Sequence, residues 1–147
     1  MNHELLAKEA IALHQDANSW EDAIKKSGQL LINTGKIKES YIDATIRNIR
    51  ELGPYILIAP NVALPHSRPE DGVIEQGISV LTLKNPVEFD PEKPFQIVIC
   101  LAAVDQNLHI DMLQKISEVI ADETLVNTLL TTDSVEVVYN MFNGEVK

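Results

Sequence analysis

The longest apolar run in the chain, F-Q-I-V-I-C-L-A-A at residues 95–103, constrains the fold more than any other feature. The run has the length of a strand but lacks the alternation of a half-buried one. Such a segment is typical of a central strand that is covered on both faces, which requires helices above and below the sheet. Cys100 lies inside it, so we expect an inert, buried thiol there, and as the only cysteine it excludes an internal disulfide.

Apolar periodicity elsewhere in the chain supplies the other elements. Ser19 is expected to cap the first helix, with Asp22 as its partner in a capping box. Helices are predicted over residues 20–32, 38–52, 107–121, 122–130 and 134–143. Strands are predicted over residues 11–17 (an edge strand), 55–58, 62–64, 77–83 (closed by Asn85-Pro86) and 95–103. We therefore expect an α/β fold, a mixed β-sheet of about five strands flanked by helices on both faces, as a single domain over residues 1–147.

The charge balance and the termini narrow the cellular setting. A formal net charge of −10 with no basic stripe argues against nucleic acid as a partner and suits basic protein partners. No run approaches the roughly 20 apolar residues that span a bilayer, and the first residues lack the pattern of a signal peptide. We expect a cytoplasmic protein, and the sequence leaves a homodimer open.

A proline-rich stretch at residues 59–72, A-P-N-V-A-L-P-H-S-R-P-E-D-G, holds the candidate chemistry. Three prolines fix φ and disfavour helix at the residues before them, so the path is stiff and extended. His66 and Arg68 follow a short predicted strand within it. A stiff loop that leaves a strand is a suitable scaffold for a site.

The histidines are the main candidates, because the chain has no local signature of nucleotide binding, of an α/β-hydrolase or of dithiol redox chemistry. We assign His3 and His14 solvated or structural roles. A neutral imidazole at His66 can attack phosphorus through a free ring nitrogen. Arg68 and Arg50 are candidates for the positive charge that a phosphoryl group needs. From spacing alone, a proline-rich turn with a surface histidine is an equally good interpretation.

Two further predictions concern helices that flank this loop. On the helix at residues 38–52, Arg50 is expected beside the apolar stripe and Arg47 is expected to point further out. His109 falls in the first turn of the helix at residues 107–121, within its apolar stripe, so its ring should point inward. The amino end of that helix would add N–H groups and the positive end of a dipole.

The segment G-P-Y-I-L-I-A-P-N-V-A-L-P-H-S-R-P-E-D-G-V resembles a known family. A-L-P-H is similar to the active-site signature of the enzyme IIA component of the bacterial phosphoenolpyruvate-dependent sugar phosphotransferase system, of the mannitol/fructose type. The full segment is especially similar to the ascorbate branch, and the likeness extends from about Trp20 to Met141. It implies the mannitol-type enzyme IIA fold.

The resemblance also implies a function. His66 would take phosphate from the histidine-containing phosphocarrier protein and pass it to a cysteine of enzyme IIB, and so serve a membrane enzyme IIC indirectly, without a metal or organic cofactor. By the same likeness His109 is the second pocket histidine and Arg50-Glu51 is an Arg-Glu pair, in which Arg50 stabilises phosphate. The sugar is inferred as ascorbate or a related one from the branch alone, because this component never touches the sugar.

The chain departs from mannitol-type members around its active segment, where Asn61 stands in place of an expected glycine. Asparagine tolerates positive φ there. The departure makes the loop geometry and the role of Arg68 less directly transferable.

Two alternatives remain. The first is a regulatory module of the same fold, in which a phosphorylated His66 signals to a transcription or transport partner. The second is a metalloenzyme that uses His66, His109 and Asp71 as a two-histidine, one-carboxylate site.

Overall fold

The computed structural model describes residues 4–143 of the chain, and these form one mixed five-stranded sheet with five α-helices. The strands are β1 (Leu6–Gln15), β2 (Leu57–Ala59), β3 (Asn61–Ala63), β4 (Gly77–Glu88) and β5 (Pro94–Ala102). The helices are α1 (Trp20–Asn33), α2 (Glu39–Leu52), α3 (Gln106–Ile120), α4 (Glu123–Thr131) and α5 (Val135–Asn143). A short 3-10 turn covers Pro69–Asp71. The predicted fold class is confirmed.

The sheet runs in the order β1-β4-β5-β3-β2, so the apolar run of the sequence is the central strand, as predicted. β5 pairs antiparallel with β4 and parallel with β3, where Ala63 lies opposite Val98. Parallel neighbours end at the same edge of a sheet, and ligand sites in α/β sheets form outside that edge. The segments that follow β3 and β5 therefore leave the sheet side by side.

Helices cover both faces of the sheet and bury two separate clusters of apolar side chains. α3, α4 and α5 contribute Met112, Ile116, Leu129 and Phe142 to the cluster on one face. α1 and α2 contribute Ile24, Leu31, Ile46 and Ile49 to the cluster on the other. Cys100 is 3% exposed within the second cluster. Burial raises the pKa of its thiol to about 12, so the expected inert, buried thiol is found.

Several local predictions are confirmed. Ser19 caps α1, where its side chain accepts a hydrogen bond from the Asp22 amide. The Asp22 carboxylate accepts from the Asn18 amide rather than from the Ser19 amide that the predicted capping box requires. α2 ends at Gly53, whose φ of 89° favours glycine. Asn61 has a φ of 72°, the left-handed region that asparagine tolerates.

The prediction that Asn85-Pro86 closes a strand is wrong, because β4 continues to Glu88. Pairing with β1 ends at Leu83, after which β4 has β5 as its remaining neighbour. The register between β4 and β5 also shifts between Thr82 and Val87. Pro86 lies within that irregularity, where its missing N–H removes no ladder bond.

β1 is an edge strand as predicted, but it begins already at Leu6 rather than at residue 11. Its early residues, L-A-K-E-A, do not alternate between apolar and polar, so the sequence did not favour a strand over a loop there. Among the residues that the structure describes, no helix is long and apolar enough to cross a membrane.

Candidate functional site

His66 lies just beyond the carboxyl end of β3, at the edge where β5 also ends. Leu64 and Pro65 are buried, and the Leu101 amide donates to the Pro65 carbonyl oxygen at 2.9 Å. This bond continues the pairing of β3 with β5 past the last assigned residue of β3. His66 is half-buried immediately after it, which fixes its backbone relative to the sheet.

The imidazole of His66 is oriented by a hydrogen bond with its own chain. Nδ1 lies 2.7 Å from the carbonyl oxygen of Leu64. A carbonyl oxygen only accepts, so Nδ1 carries the proton and Nε2 keeps a lone pair in the neutral ring. Burial lowers the pKa of His66, and the neighbouring His109 lowers it further, against the opposing effect of the Leu64 bond. The ring is therefore neutral, with Nε2 as the nucleophilic atom.

His109 faces His66 from the first turn of α3. Asp105 caps this helix by accepting from the Leu108 amide, and the His109 amide donates to the Asp105 carbonyl. The centroids of the two imidazole rings are 5.4 Å apart, with an edge-to-face orientation. His109 is half-buried, and its ring faces His66 beside a hollow that Ala103, just after β5, also lines.

A hollow of about 470 Å³ opens beside His66. Its lining residues are Arg47, Asn48, Leu52, Tyr55, His66, Ser67, Arg68 and Asp71. Two guanidinium groups thus border the same space as the imidazole, one from α2 and one from the loop after His66. This is the charge that a dianionic phosphoryl group requires.

The two arginines of α2 do not lie as predicted. Arg47, expected to point further out, lines the hollow. Arg50 does not line it, and its Nη2 lies 3.5 Å from Oε2 of Glu21 at the start of α1. The error arises because the apolar stripe of α2 does not show which of its flanks the His66 loop will cover. The role of Arg50 as a phosphate ligand stays a prediction.

The loop after His66 is held by a carboxylate within it. Asp71 Oδ2 accepts from the Ser67 hydroxyl in a short hydrogen bond and from the Arg68 amide at 3.2 Å. Asn48 of α2 also donates to the Ser67 hydroxyl oxygen. These bonds explain why a 3-10 turn begins directly after Arg68, close to His66 in the chain.

Two tyrosines that were not predicted as site residues also contact this segment. The hydroxyl of Tyr55 donates to the His66 carbonyl oxygen at 2.7 Å, and its ring meets the imidazole edge-on at 5.3 Å. The hydroxyl of Tyr41 accepts from the Ser67 amide at 2.8 Å. Tyr55 stands within the motif G-P-Y-I-L-I-A-P, which was a signal for it. Tyr41 is one residue of a helical apolar stripe, and nothing in the sequence distinguishes it.

The arrangement bears on the alternative of a metal site. Within residues 4–143, no three histidine, cysteine, aspartate or glutamate side chains are close enough together to hold a metal ion. Asp71, the predicted carboxylate ligand, uses Oδ2 for the bonds within its own loop. The three residues named for that site therefore do not converge.

The remaining histidines lie away from His66. His14 has a φ of 54°, and its Nε2 lies 2.9 Å from the Thr132 carbonyl oxygen and 3.1 Å from Asp133 Oδ1. It links β1 to the junction between α4 and α5, which is a structural role as expected. His3 lies outside the described residues.

Comparison with known proteins identifies a matching family and several relatives that cover most of the chain. The family model described as the phosphoenolpyruvate-dependent sugar phosphotransferase system, EIIA 2, matches residues 4–145. The ascorbate-specific PTS system EIIA component of Salmonella typhimurium is 40% identical over 111 residues, which cover 74% of this chain and 72% of that protein.

Two solved structures from Escherichia coli share the architecture. The mannitol-specific cryptic phosphotransferase enzyme IIA CmtB is 32% identical, with a TM-score of 0.86 over 95% of this chain and 96% of that one. The complex of the mannitol enzyme IIA with phosphorylated enzyme IIB gives 26% identity and a TM-score of 0.82 over 95% and 98% of the two chains.

Proposed function

The chain belongs to the EIIA 2 family of the phosphoenolpyruvate-dependent sugar phosphotransferase system, and from this premise we propose that His66 is the residue that carries its phosphoryl group. Members of the family act as phosphotransferases, which pass phosphate between proteins. The observation that carries the proposal is the half-buried imidazole whose Nδ1 is bound to the Leu64 carbonyl oxygen. That bond leaves Nε2 as the atom that can form a bond to phosphorus.

In the first step, Nε2 of His66 attacks the phosphorus of a phosphohistidine on the histidine-containing phosphocarrier protein. The new P–N bond forms at His66 as the P–N bond of the donor breaks, and the electron pair of that bond stays on the donor imidazole. Nδ1 of His66 keeps its proton throughout and donates a hydrogen bond to the Leu64 carbonyl oxygen. In the second step, a thiolate of enzyme IIB attacks the same phosphorus. A P–S bond replaces the P–N bond, and His66 returns to its neutral form.

Charge around the hollow supports both steps. Phosphoryl transfer depends mainly on positioning and on neutralising the peripheral oxygens. Arg47 and Arg68 line the hollow with His66, so we assign this role to them. Arg50, the arginine predicted from the family likeness, would have to leave Glu21 to take part.

His109 supports the transfer without carrying the phosphate. Its ring lies edge-to-face with the His66 ring, at 5.4 Å between centroids. A ring nitrogen of His109 can donate to an oxygen of a phosphoryl group that His66 holds, because an imidazole ring carries at least one N–H donor. We therefore infer that His109 stabilises the phosphorylated state and the transfer step.

The partners and the sugar follow from the relatives. A structure of the related mannitol enzyme IIA contains phosphorylated enzyme IIB, which supports an enzyme IIB as the acceptor here. The relatives at about 40% identity are named ascorbate-specific, which supports ascorbate as the sugar that the cognate membrane enzyme IIC takes up. We place this relay in the cytoplasm, where phosphoenolpyruvate is the source of its phosphate.

Incubation with labelled phosphoenolpyruvate and the two general proteins of the system tests the assignment. We expect one acid-labile phosphate per chain in the wild type and none in His66→Ala, because the nucleophile is absent. His14→Gln, a change at a histidine bound to Thr132, is the matched control and should be labelled at the wild-type rate. His109→Ala should accept phosphate but pass it on more slowly. Label that survives in His66→Ala would exclude His66 as the carrier.

Addition of a purified ascorbate-type enzyme IIB to the labelled protein tests the acceptor. The label should move to an enzyme IIB cysteine and be released by iodine treatment, because iodine oxidises the sulfur of an S-phosphocysteine and cleaves the P–S bond. The mannitol-type enzyme IIB is the specificity control. Label that stays on His66 with either enzyme IIB would contradict the role in sugar uptake.

A further inference from the structure

The hydroxyl of Tyr41 lies buried where α2, the end of β5 and the His66 segment meet. Tyr41 is 1% exposed. Its oxygen is 2.6 Å from the Leu101 carbonyl oxygen and 2.8 Å from the Ser67 amide nitrogen. A third neighbour, the Ser67 carbonyl oxygen, lies at 3.3 Å. One side chain of α2 therefore contacts both Leu101, near the end of the central strand, and Ser67, the residue that follows His66.

The direction of these bonds follows from the groups involved. A hydroxyl has one proton to donate and lone pairs to accept with. The shorter contact is with the Leu101 carbonyl oxygen, so the proton goes there, and the Ser67 N–H donates to the Tyr41 oxygen. The Leu101 amide in turn donates to the Pro65 carbonyl oxygen. The residues on either side of His66 are thus both attached to Leu101, Pro65 directly and Ser67 through Tyr41.

We propose that Tyr41 is a positioning residue for phosphoryl transfer: its hydroxyl holds the Pro65–Ser67 backbone against the end of β5 and so sets where His66 stands relative to His109. This inference rests on the proposed role of His66. Tyr41 touches neither the phosphoryl group nor a partner, and it acts through Ser67.

The other bonds of the segment do not perform this task. Asp71 binds Ser67 and Arg68 but belongs to the same loop, so it shapes the loop without attaching it to the sheet. Tyr55 holds the His66 carbonyl oxygen from the exposed side, and Tyr55 itself is 38% exposed. Asn48 of α2 also donates to Ser67, but it binds the hydroxyl oxygen rather than the backbone and is only half-buried. Tyr41 is the side chain that binds the backbone of this segment from within the core, where hydrogen bonds are strong and an unpaired group is costly. Burial raises the pKa of the Tyr41 hydroxyl, so at neutral pH the hydroxyl keeps the proton that it donates to the Leu101 carbonyl oxygen.

Tyr41→Phe tests the proposal, because it keeps the ring and removes the hydroxyl. We expect the rate of phosphoryl transfer at saturating donor to fall about tenfold to a hundredfold, since small misplacements of a reacting group have effects of that order. The KM for the phosphocarrier protein should stay within about twofold, because Tyr41 is buried and makes no contact with a partner. Ser79→Ala is the matched control: it removes another buried hydroxyl, which donates to the Ser27 carbonyl oxygen, and should leave the rate unchanged.

Amide hydrogen exchange in the wild type adds a readout that does not depend on how the variant folds. In the wild type, the Ser67 amide should exchange as slowly as amides of β5, whereas in Tyr41→Phe it should exchange as fast as the amide of Glu70 in the exposed turn. The inference is overturned by a Tyr41→Phe variant that transfers phosphate at the wild-type rate, or by a wild-type Ser67 amide that exchanges as fast as Glu70. If wild-type protein takes no label at all, the proposed function fails, while the exchange measurement still tests how Tyr41 holds the loop.

Discussion

The protonation state of His66 decides whether its ring can act as a nucleophile. Burial is the main cause that lowers its pKa from 6.5, because a charged ring loses hydration there, and His109 adds to the effect. In the unfolded chain the ring has its ordinary pKa. Below pH 6.5 the unfolded chain therefore takes up a proton before the folded one does, and folding stability falls as the pH falls towards the folded pKa. Above pH 6.5 both forms are neutral, and this residue adds no pH dependence.

An NMR titration of the imidazole signals measures this directly. We expect a His66 midpoint below 6.5, and an upward shift in His109→Gln that does not reach 6.5, because burial is the larger cause and remains. The initial rate of phosphoryl acceptance should follow the same curve and rise with pH through that midpoint. His14→Gln is the control and should leave the His66 midpoint unchanged. A His66 midpoint at or above 6.5 would contradict this description of the ring.

Single residues differ in how well the sequence indicates them. His66 was predicted from the prolines on either side of it. Asn61 was singled out because the family likeness leads one to expect glycine there, and its φ of 72° is one that glycine favours. Tyr41 was not predicted, because its importance depends on Leu101, which is 60 residues away in the chain. A contact of that separation leaves no mark in a short motif.

α2 is the element in which the predicted and observed positions of the candidate site residues differ. Its limits and buried stripe are as predicted, and Tyr41, Ile42, Ile46 and Ile49 all lie in the core. The stripe shows which side faces the sheet but not which flank borders the His66 loop. That flank carries Arg47 and Asn48, while Arg50 lies beside Glu21 of α1. The same limit applies to β4, where Pro86 was read as a stop because local propensity cannot show that the strand has lost one neighbour.

Arg47→Gln and Arg50→Gln form a matched pair on this helix. Each removes one exposed guanidinium from the same element, three residues apart in the sequence. We expect Arg47→Gln to slow phosphoryl acceptance about tenfold, which corresponds to about 1.4 kcal/mol of lost transition-state stabilisation. Arg50→Gln should change the rate less than about twofold, because Arg50 does not line the hollow.

Rates measured at low and high salt separate charge from structure. The effect of Arg47→Gln should shrink as salt rises, because its guanidinium is exposed and its interaction with phosphate is screened. A larger loss in Arg50→Gln than in Arg47→Gln would support the assignment that the family likeness implies and would contradict the one that the hollow supports.

At the scale of the whole molecule, the position of the site follows from the order of the strands. β3 and β5 are parallel neighbours, so residues from two distant parts of the chain, His66 and His109, leave the sheet at one edge. Periodicity alone predicted both residues but not their pairing in space, since it does not show which strands are adjacent. Their pairing was expected from the family likeness, in which His109 is the second pocket histidine. The apolar run of β5 did predict the central strand and the helices on both faces, because continuous burial has no other source in a chain of this length.

Asn143, at the end of α5, binds the backbone at the other end of the described chain. Its Oδ1 accepts from the amides of Leu5 and Leu6, at 2.8 and 3.0 Å. Its Nδ2 donates to the carbonyl oxygens of Leu6 and Tyr139, both at 2.9 Å. The amide thus completes the start of β1, an edge strand whose first backbone groups would otherwise be only partly paired.

Asn143→Leu should therefore lower the free energy of unfolding by about 1–3 kcal/mol, because apolar leucine leaves several half-buried backbone groups without their partner. Urea unfolding followed by far-UV circular dichroism gives the value, and an unchanged m-value would show that the same surface is exposed on unfolding. Asn127→Leu, at an exposed position of α4, is the matched control and should lie within about 0.5 kcal/mol of the wild type. Equal values for the two variants would mean that β1 does not depend on α5 for its first hydrogen bonds.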